Sequence, residues 1–206
     1  MITRATTAVA AAALLAVSGG VAHAHGEPQE NRFFLLVGPA LLAPASPGLD
    51  EVMDPSFGFG IETGYLIGFG PDRGAGHFGL APAIGLRWFD VNDEGSGRGL
   101  TTALHATAGV RAGFVGRGAF VYGLADAGLA RARFRACGPE TVCDATFLEM
   151  NPMARFGGGV DFAVSHAFAL GAGIAVPVIF SRDGRGIDET EVGIESMVYG
   201  KFLIGH

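Results

Sequence analysis

The longest regular feature of the sequence is an alternation of residue types between Leu148 and Val164. Even-numbered positions are apolar or glycine, whereas the charged residues Glu149, Arg155 and Asp161 all occupy odd-numbered positions. Successive side chains of a β-strand point to opposite faces, so this pattern predicts one strand with two chemically different faces. Strands of about 5–6 residues are usual in globular proteins. The alternation from Leu148 to Val164 is far longer, and a strand of that length is typical of a protein wall between lipid and an enclosed interior.

The same alternation recurs along the chain and predicts eight strands. No helical periodicity appears after the amino-terminal segment. The predicted strands cover residues 32–42, 55–69, 77–90, 99–114, 118–134, 146–164, 167–180 and 191–205.

The predicted connections alternate in length. Longer connections, rich in turn-forming residues, cover 43–54, 91–98, 135–145 and 181–190, and shorter ones cover 70–76, 115–117 and 165–166. Long outer loops and tight periplasmic turns are typical of transmembrane β-barrels. With an even number of strands, both chain ends then lie on the side of the short connections.

Residue size predicts which face points outward. One parity carries large apolar side chains, such as Phe57 and Phe59, while the opposite parity is mostly glycine and alanine. An eight-stranded barrel is only wide enough inside for its own side chains, so many phenylalanines and leucines would overfill it. The large apolar face is therefore expected to meet lipid. Aromatic residues near both strand ends, with Trp88 in one band and Phe120 in the other, are expected to form interfacial girdles.

The fifth predicted strand departs from this scheme. Phe120, Tyr122 and Leu124 share their parity with Asp126. A bulge or a change of parity between residues 123 and 128 is expected to separate them.

The first 24 residues are predicted to be a secretory signal peptide, and residues 25–206 to form the barrel domain. Arg4 supplies a positive start, residues 8–17 an apolar segment, and Ala22-His23-Ala24 a cleavage site with small residues. The apolar segment is shorter than the roughly 20 residues that a transmembrane helix needs.

Composition narrows the function classes. The net charge of −6 without a basic stripe excludes nucleic acid as an expected partner. Only 17% of residues are charged, against about 25% in soluble domains. Cys137 and Cys143 flank a Gly-Pro turn and are predicted to form a disulfide in an exported protein. No histidine or third cysteine lies near them, so no metal or cofactor is expected.

Charged residues on the inward parity nearly balance. Isolated charges in a narrow interior of low dielectric are costly, so we expect these residues to pair and to plug the lumen. Asp126 is a further candidate. The predicted interior polar network comprises Glu62, Arg87, His105, Arg111, Glu149, Arg155, Asp161, Glu195 and Lys201.

With these features, residues 32–206 resemble the small eight-stranded outer-membrane β-barrel proteins of the OmpA-transmembrane-domain and OmpX type. Gly200, Phe202 and Ile204 resemble the family's carboxy-terminal assembly signal, although the chain departs from it by ending in glycine and histidine. The resemblance implies an all-β, eight-stranded antiparallel up-and-down transmembrane β-barrel in the outer membrane of a Gram-negative bacterium. It also implies that the last strand is read by the outer-membrane insertion machinery.

The expected role is structural or a surface interaction through the external loops, by a monomer in contact with outer-membrane lipid and lipopolysaccharide. Divalent cations or bridged lipopolysaccharide phosphates are candidate ligands of acidic loop residues. These residues are Asp50, Glu51, Asp54, Asp93, Glu94, Asp188 and Glu189.

Two other functions stay open. A passive conduit for hydrophobic or small solutes is the main alternative, because Pro82, Pro152 and Pro177, assigned to the outward parity, would break strand pairing. A lipid A-modifying enzyme is less favoured, since Ser165-His166 falls in a predicted turn and Ser196 has no histidine on a neighbouring outward position. We therefore expect no catalytic residues.

Overall fold

The computed structural model describes residues 32–47, 54–69, 77–90, 98–116, 118–136, 145–182 and 188–204. No helix in these ranges is long and apolar enough to cross a membrane. The predicted signal peptide lies outside the described residues. The strands are β1 (Arg32–Pro44), β2 (Ser56–Phe69), β3 (His77–Asp90), β4 (Arg98–Gly116), β5 (Ala119–Ala136), β6 (Ala145–Ser165), β7 (Phe168–Arg182) and β8 (Asp188–Ile204).

Each strand pairs antiparallel with the next, and β8 pairs with β1, so the sheet closes into a barrel. This confirms the predicted eight-stranded antiparallel up-and-down architecture. Tight connections join β4 to β5 and β6 to β7, as predicted, but the connection at 70–76 is as long as the one at 91–97. We call the end of the barrel with the connections at 70–76, 117–118 and 166–167 the turn end, and the opposite end the loop end.

Large apolar side chains cover the outside of the barrel. Phe57, Phe114 and Val198 are 75%, 68% and 63% exposed. At the turn end the outer aromatic residues form cross-strand pairs, including Phe78 with Phe114 at 6.0 Å between ring centroids. The outward parity is thus the apolar one, because large side chains do not fit inside so narrow a barrel.

β5 contains no bulge and no change of parity between residues 123 and 128. Its registers with β4 and β6 are continuous there, and Phe120 and Tyr122 are buried in the interior. The assignment of Phe120 to an outer aromatic band is therefore wrong. Glycines on other strands leave the space that these two rings occupy. A Cβ on Gly79 would lie 3.2 Å from the Phe120 ring, and a Cβ on Gly159 would lie 2.8 Å from the Tyr122 ring.

The outward assignment of Pro177 is also wrong. Pro177 is fully buried, because its neighbour Val176 occupies the outward position of β7. Pro82 and Pro152 do face outward. The β2–β3 ladder is interrupted opposite Pro82, and the β6–β7 ladder ends at Met153, next to Pro152. Proline has no backbone N–H to donate to a ladder.

Gly113 marks a point where two strands approach too closely for a side chain. A Cβ on this residue would overlap the carbonyl oxygen of Val121 and lie 2.6 Å from the Cα of Tyr122. Gly116, on the same strand, has no atom nearer than 4.0 Å to the equivalent position. Backbone packing therefore requires glycine at 113 but not at 116.

We expect Gly113→Ala to lower the free energy of unfolding by about 1–3 kcal/mol, because overpacking forces the backbone to shift. Gly116→Ala is the matched control and should change it little. The measurement is the urea midpoint in detergent micelles, followed by heat-modifiable electrophoretic mobility. Equal midpoints for the two variants would contradict the close approach of β4 and β5.

Candidate functional site

The candidate site is a buried network of charged and phenolic side chains in the middle of the barrel. Parity places each of them inward, because the neighbouring residues in its strand are the apolar ones that point outward. Arg155, His105 and Lys201 are each only 1% exposed. The network comprises Glu62 (β2), Arg87 (β3), His105 and Arg111 (β4), Asp126 and Tyr122 (β5), Arg155 and Asp161 (β6), and Glu195, Tyr199 and Lys201 (β8).

Arg155 is the centre of the part nearer the loop end. Its Nε donates to Asp126 Oδ2 at 2.9 Å, and its Nη1 donates to Glu195 Oε1 at 2.6 Å. The same Glu195 oxygen lies 2.7 Å from Arg87 Nε, so one carboxylate oxygen is shared by two guanidinium groups. His105 Nδ1 lies 3.5 Å from Glu195 Oε2.

Glu62 links this group to the part nearer the turn end. Arg87 Nη2 donates to Glu62 Oε2 at 2.8 Å, and Arg111 Nη2 lies 2.6 Å from Glu62 Oε1. Arg87 Nη1 also donates to Thr107 Oγ1 at 3.3 Å. Glu62 is thereby held from both sides, which offsets the cost of removing its charge from water.

Two tyrosines continue the network. Arg111 Nη1 donates to the Tyr122 hydroxyl at 2.9 Å, and the hydroxyls of Tyr122 and Tyr199 are 2.6 Å apart. Tyr199 donates to Asp161, whose other oxygen accepts from Lys201 Nζ at 2.6 Å. The Arg111 guanidinium lies 4.7 Å from the Tyr122 ring centroid, within the range of a cation–π contact.

The charges of the described network balance. Arg87, Arg111, Arg155 and Lys201 face Glu62, Asp126, Asp161 and Glu195. Apolar side chains close the interior beyond both ends of the network. They are Phe34, Leu66, Val115, Phe120 and Leu203 toward the turn end, and Leu42, Phe89, Ala103 and Pro177 toward the loop end. The arrangement is thus suited to bracing and closing the barrel.

The charged residues of the network follow from strand parity, whereas its two phenols carry no charge that marks them as polar members. The structure brings together eight of the nine residues of the predicted network, while the side chain of Glu149 lies outside the described part. Cys137 and Cys143 also lie outside the described residues. Tyr122 and Tyr199 were missed as network members, although Tyr199 shares its parity with Lys201 and Tyr122 with Asp126.

Ser196 lies on the outward parity of β8, and Ser165 lies at the turn end of β6. Among the described residues, no three histidine, cysteine or acidic side chains are grouped to hold a metal ion. Ser196 has Leu41 and Ile174 as its register partners. Ser165 lies at the exposed turn between β6 and β7, where its hydroxyl accepts a hydrogen bond from the backbone N–H of Ala167.

We expect Arg155→Met to lower the free energy of unfolding by about 3–5 kcal/mol, because it leaves the buried carboxylates of Asp126 and Glu195 without their main partner. Arg131→Met, on the exposed face of β5, is the control and should change it by less than about 0.5 kcal/mol. Urea unfolding of both variants in the same detergent measures the difference. A similar small effect for both would contradict the central role of Arg155.

Solved structures with a similar fold identify the class of barrel to which this fold corresponds. No protein-family model matches the sequence. No curated protein matches it either. Among solved structures, Neisserial surface protein A aligns with a TM-score of 0.55 and 14% identity, over 84% of this chain and 97% of that one. Ail, the attachment invasion locus protein of Yersinia pestis, aligns with a TM-score of 0.50 and 18% identity, over 85% of this chain and 99% of that one. The chain therefore has the fold of the small eight-stranded outer-membrane β-barrel proteins.

Proposed function

We propose that the chain is an integral protein of the bacterial outer membrane, with a barrel closed to solutes and a surface-interaction role at its loop end. The supporting features are the lipid-facing belt, the filled interior and the strands that extend beyond the rim. The extended strands are the observation that carries the interaction role.

The belt supports membrane insertion. Trp88 is 56% exposed on the outside near the loop end, and the exposed Phe114 lies near the turn end. Aromatic side chains at both ends of an apolar wall match the two interfaces of a bilayer. Water would meet this whole surface if the barrel were soluble, which is costly for so many large apolar side chains.

The strands β5 and β6 are longer than a membrane requires. They have 18 and 21 residues, against the roughly 9–11 that cross a bilayer. They stay paired out to Ala136 and Ala145, whereas the pairing of β6 with β7 ends at Met153 and Ile179. Among the described residues, Met150–Pro152 of β6 therefore have no ladder to Phe180–Arg182 of β7, and we call this side of β6 the β6 edge.

A free strand edge is suited to binding. Its unpaired backbone N–H and C=O groups can add a strand from another chain. The β6 edge therefore supports an interaction role more directly than the closed fold does. Lipopolysaccharide around the barrel and the insertion machinery at β8 are the further partners that we propose, for a monomeric protein.

A passive conduit is the second candidate. The interruption of the β2–β3 ladder opposite Pro82 and the end of the β6–β7 ladder at Pro152 favour it, because they weaken the wall locally. The ion pairs and apolar side chains that fill the interior favour the closed barrel.

We expect the purified protein to give no steady open-channel steps in planar lipid bilayers, because paired charges and apolar side chains fill the described part of the interior. A general porin under the same conditions serves as the positive control. Large, steady conductance steps would reject the closed barrel and favour the conduit.

We expect a membrane-impermeant maleimide to label Met150→Cys in intact cells, because Met150 is 63% exposed on the extended part of β6. Val164→Cys, 55% exposed near the turn end, is the matched control and should be labelled only after lysis. Both variants are made with Cys137 and Cys143 replaced by serine. Labelling of the control but not of Met150→Cys in intact cells would reverse the proposed orientation.

A further inference from the structure

Three arginines follow one another at alternate positions of β5, on its outward parity and at the loop end. Leu129 is 45% exposed on that face, and Arg131, the next residue of the same parity, is also exposed. Arg133 and Arg135 occupy the next two positions of this parity, and the register with β6 runs through both without a break. Alternate residues of a strand lie on the same face, roughly 6.5 Å apart. We call these three positions the arginine column.

The register places the start of this column level with the aromatic belt. Trp88, Leu104, Arg131 and Met150 are successive partners in one row across β3, β4, β5 and β6. Trp88 is the exposed aromatic residue of the belt near the loop end. Because exposed tryptophans of a barrel wall lie at headgroup level, Arg131 begins the column at the membrane interface.

The length of β5 gives the same height independently. Phe114, exposed near the turn end, pairs with Val121 of β5, and Arg131 is the eleventh residue counted from Val121. A tilted strand crosses the bilayer in about 9–11 residues. Arg131 therefore lies where the apolar layer ends, and the positions of Arg133 and Arg135 lie beyond it on the same side.

The outer face around the column carries little opposing charge. Among the described residues of outward parity on β3, β5, β6 and β4 from Thr102 onward, the charged ones are the three arginines and Asp90. Asp90 pairs with Thr102, which pairs with Arg133, so this acid lies two strands away from the column. Arginine binds phosphate through paired hydrogen bonds and stays charged at any physiological pH. The column is therefore suited to phosphate groups at headgroup level.

Small residues occupy the same face between the column and the turn end. Ala108, Ala127 and Ala154 form one row across β4, β5 and β6, and Ala125 and Gly123 continue along β5. Neighbouring strands are about 4.8 Å apart, so this surface is roughly 10 Å wide. It lies lower than the phenylalanines, leucines and isoleucines that cover other parts of the wall, and it leaves room for an acyl chain. We call it the small-residue lane.

We propose that the outer face of β5 binds an outer-leaflet lipid with more than one phosphate group, which is the chemistry of lipopolysaccharide. Its phosphates lie against the arginine column, and one of its acyl chains lies in the small-residue lane. The column is roughly 13 Å long, which suits two phosphates better than the single phosphate of a phospholipid. This inference deepens the lipopolysaccharide contact proposed above and rests on the proposed orientation, in which the loop end faces the cell exterior.

The test is lipid binding by the whole mature protein in detergent micelles, measured by native mass spectrometry with bisphosphorylated lipid A. The combined changes Arg131→Gln, Arg133→Gln and Arg135→Gln should lower the affinity roughly ten- to hundredfold, because each basic residue strengthens attachment to anionic lipid. Lysine at the same three positions keeps the charge and should lose less affinity. Arg73→Gln combined with Arg117→Gln, in the turn-end connections, is the control and should bind like the wild-type protein. Heat-modifiable mobility verifies that each variant is folded.

Equal affinity of the triple glutamine variant and the wild-type protein would overturn the proposal. Equal binding of lipid A without phosphates would overturn it in favour of acyl contacts alone, and equal binding of phosphatidylglycerol in favour of a general site for anionic lipids. Displacement of lipid A by millimolar inorganic phosphate would overturn it in favour of a free-phosphate site. Micelles impose no orientation, so these outcomes are distinguishable from a failure of the proposed function, which the maleimide labelling tests.

A pair of phenylalanine variants tests the lane. We expect Ala127→Phe to lower the affinity for bisphosphorylated lipid A, because the ring would occupy the space of the acyl chain. Ala172→Phe, on the outward parity of β7 between Val160 and Val198, is the matched control and should leave the affinity unchanged. Equal affinities of the two variants would overturn the placement of an acyl chain in the small-residue lane.

Discussion

The narrow interior of an eight-stranded barrel is the constraint on which the rest of this structure depends. Such an interior accommodates only the side chains of its own strands. Each large inward residue therefore needs small residues opposite it: a Cβ on Gly159 would collide with the Tyr122 ring, and one on Gly173 would contact its hydroxyl. The same limit excludes most large apolar side chains from the interior, and this leaves them on the lipid-facing side.

The constraint also explains how charges are tolerated inside. A charge buried alone in this space would cost several kcal/mol, so each one has to be paired and hydrogen-bonded. Arginine suits this task, because its planar group offers five donors in a fixed arrangement. Arg155 bonds Asp126 on one side and Glu195 on the other, and so connects β5, β6 and β8 across the barrel. The network thus braces strands that are far apart in sequence while it fills the lumen.

Sequence and structure agree where the information is local. Alternation within one strand suffices to place Glu62 and Lys201 inside. Which charges meet depends on the register around the closed sheet, so the partners of Arg155 could not be predicted from any one strand. The errors at Phe120 and Pro177 have a common cause, because apolar residues were equated with contact to lipid. Inside a glycine-rich barrel, apolar side chains also pack against one another and close its two ends.

The two ends of the barrel differ in what they leave unpaired. The β4–β5 and β6–β7 pairs are joined by tight turns at the turn end, whereas beyond Met153 the described part of β6 stays paired with β5 but has no ladder to Phe180–Arg182 of β7. Closure into a barrel normally removes every sheet edge, and natural proteins limit the edges that remain because they invite unwanted pairing. Pro152 confines the β6 edge to the extension, since it stands where the ladder to β7 stops and has no N–H to offer. An edge at the loop end of the described barrel supports a partner that approaches from the aqueous side, while the side chains that fill the described interior oppose the passage of solutes.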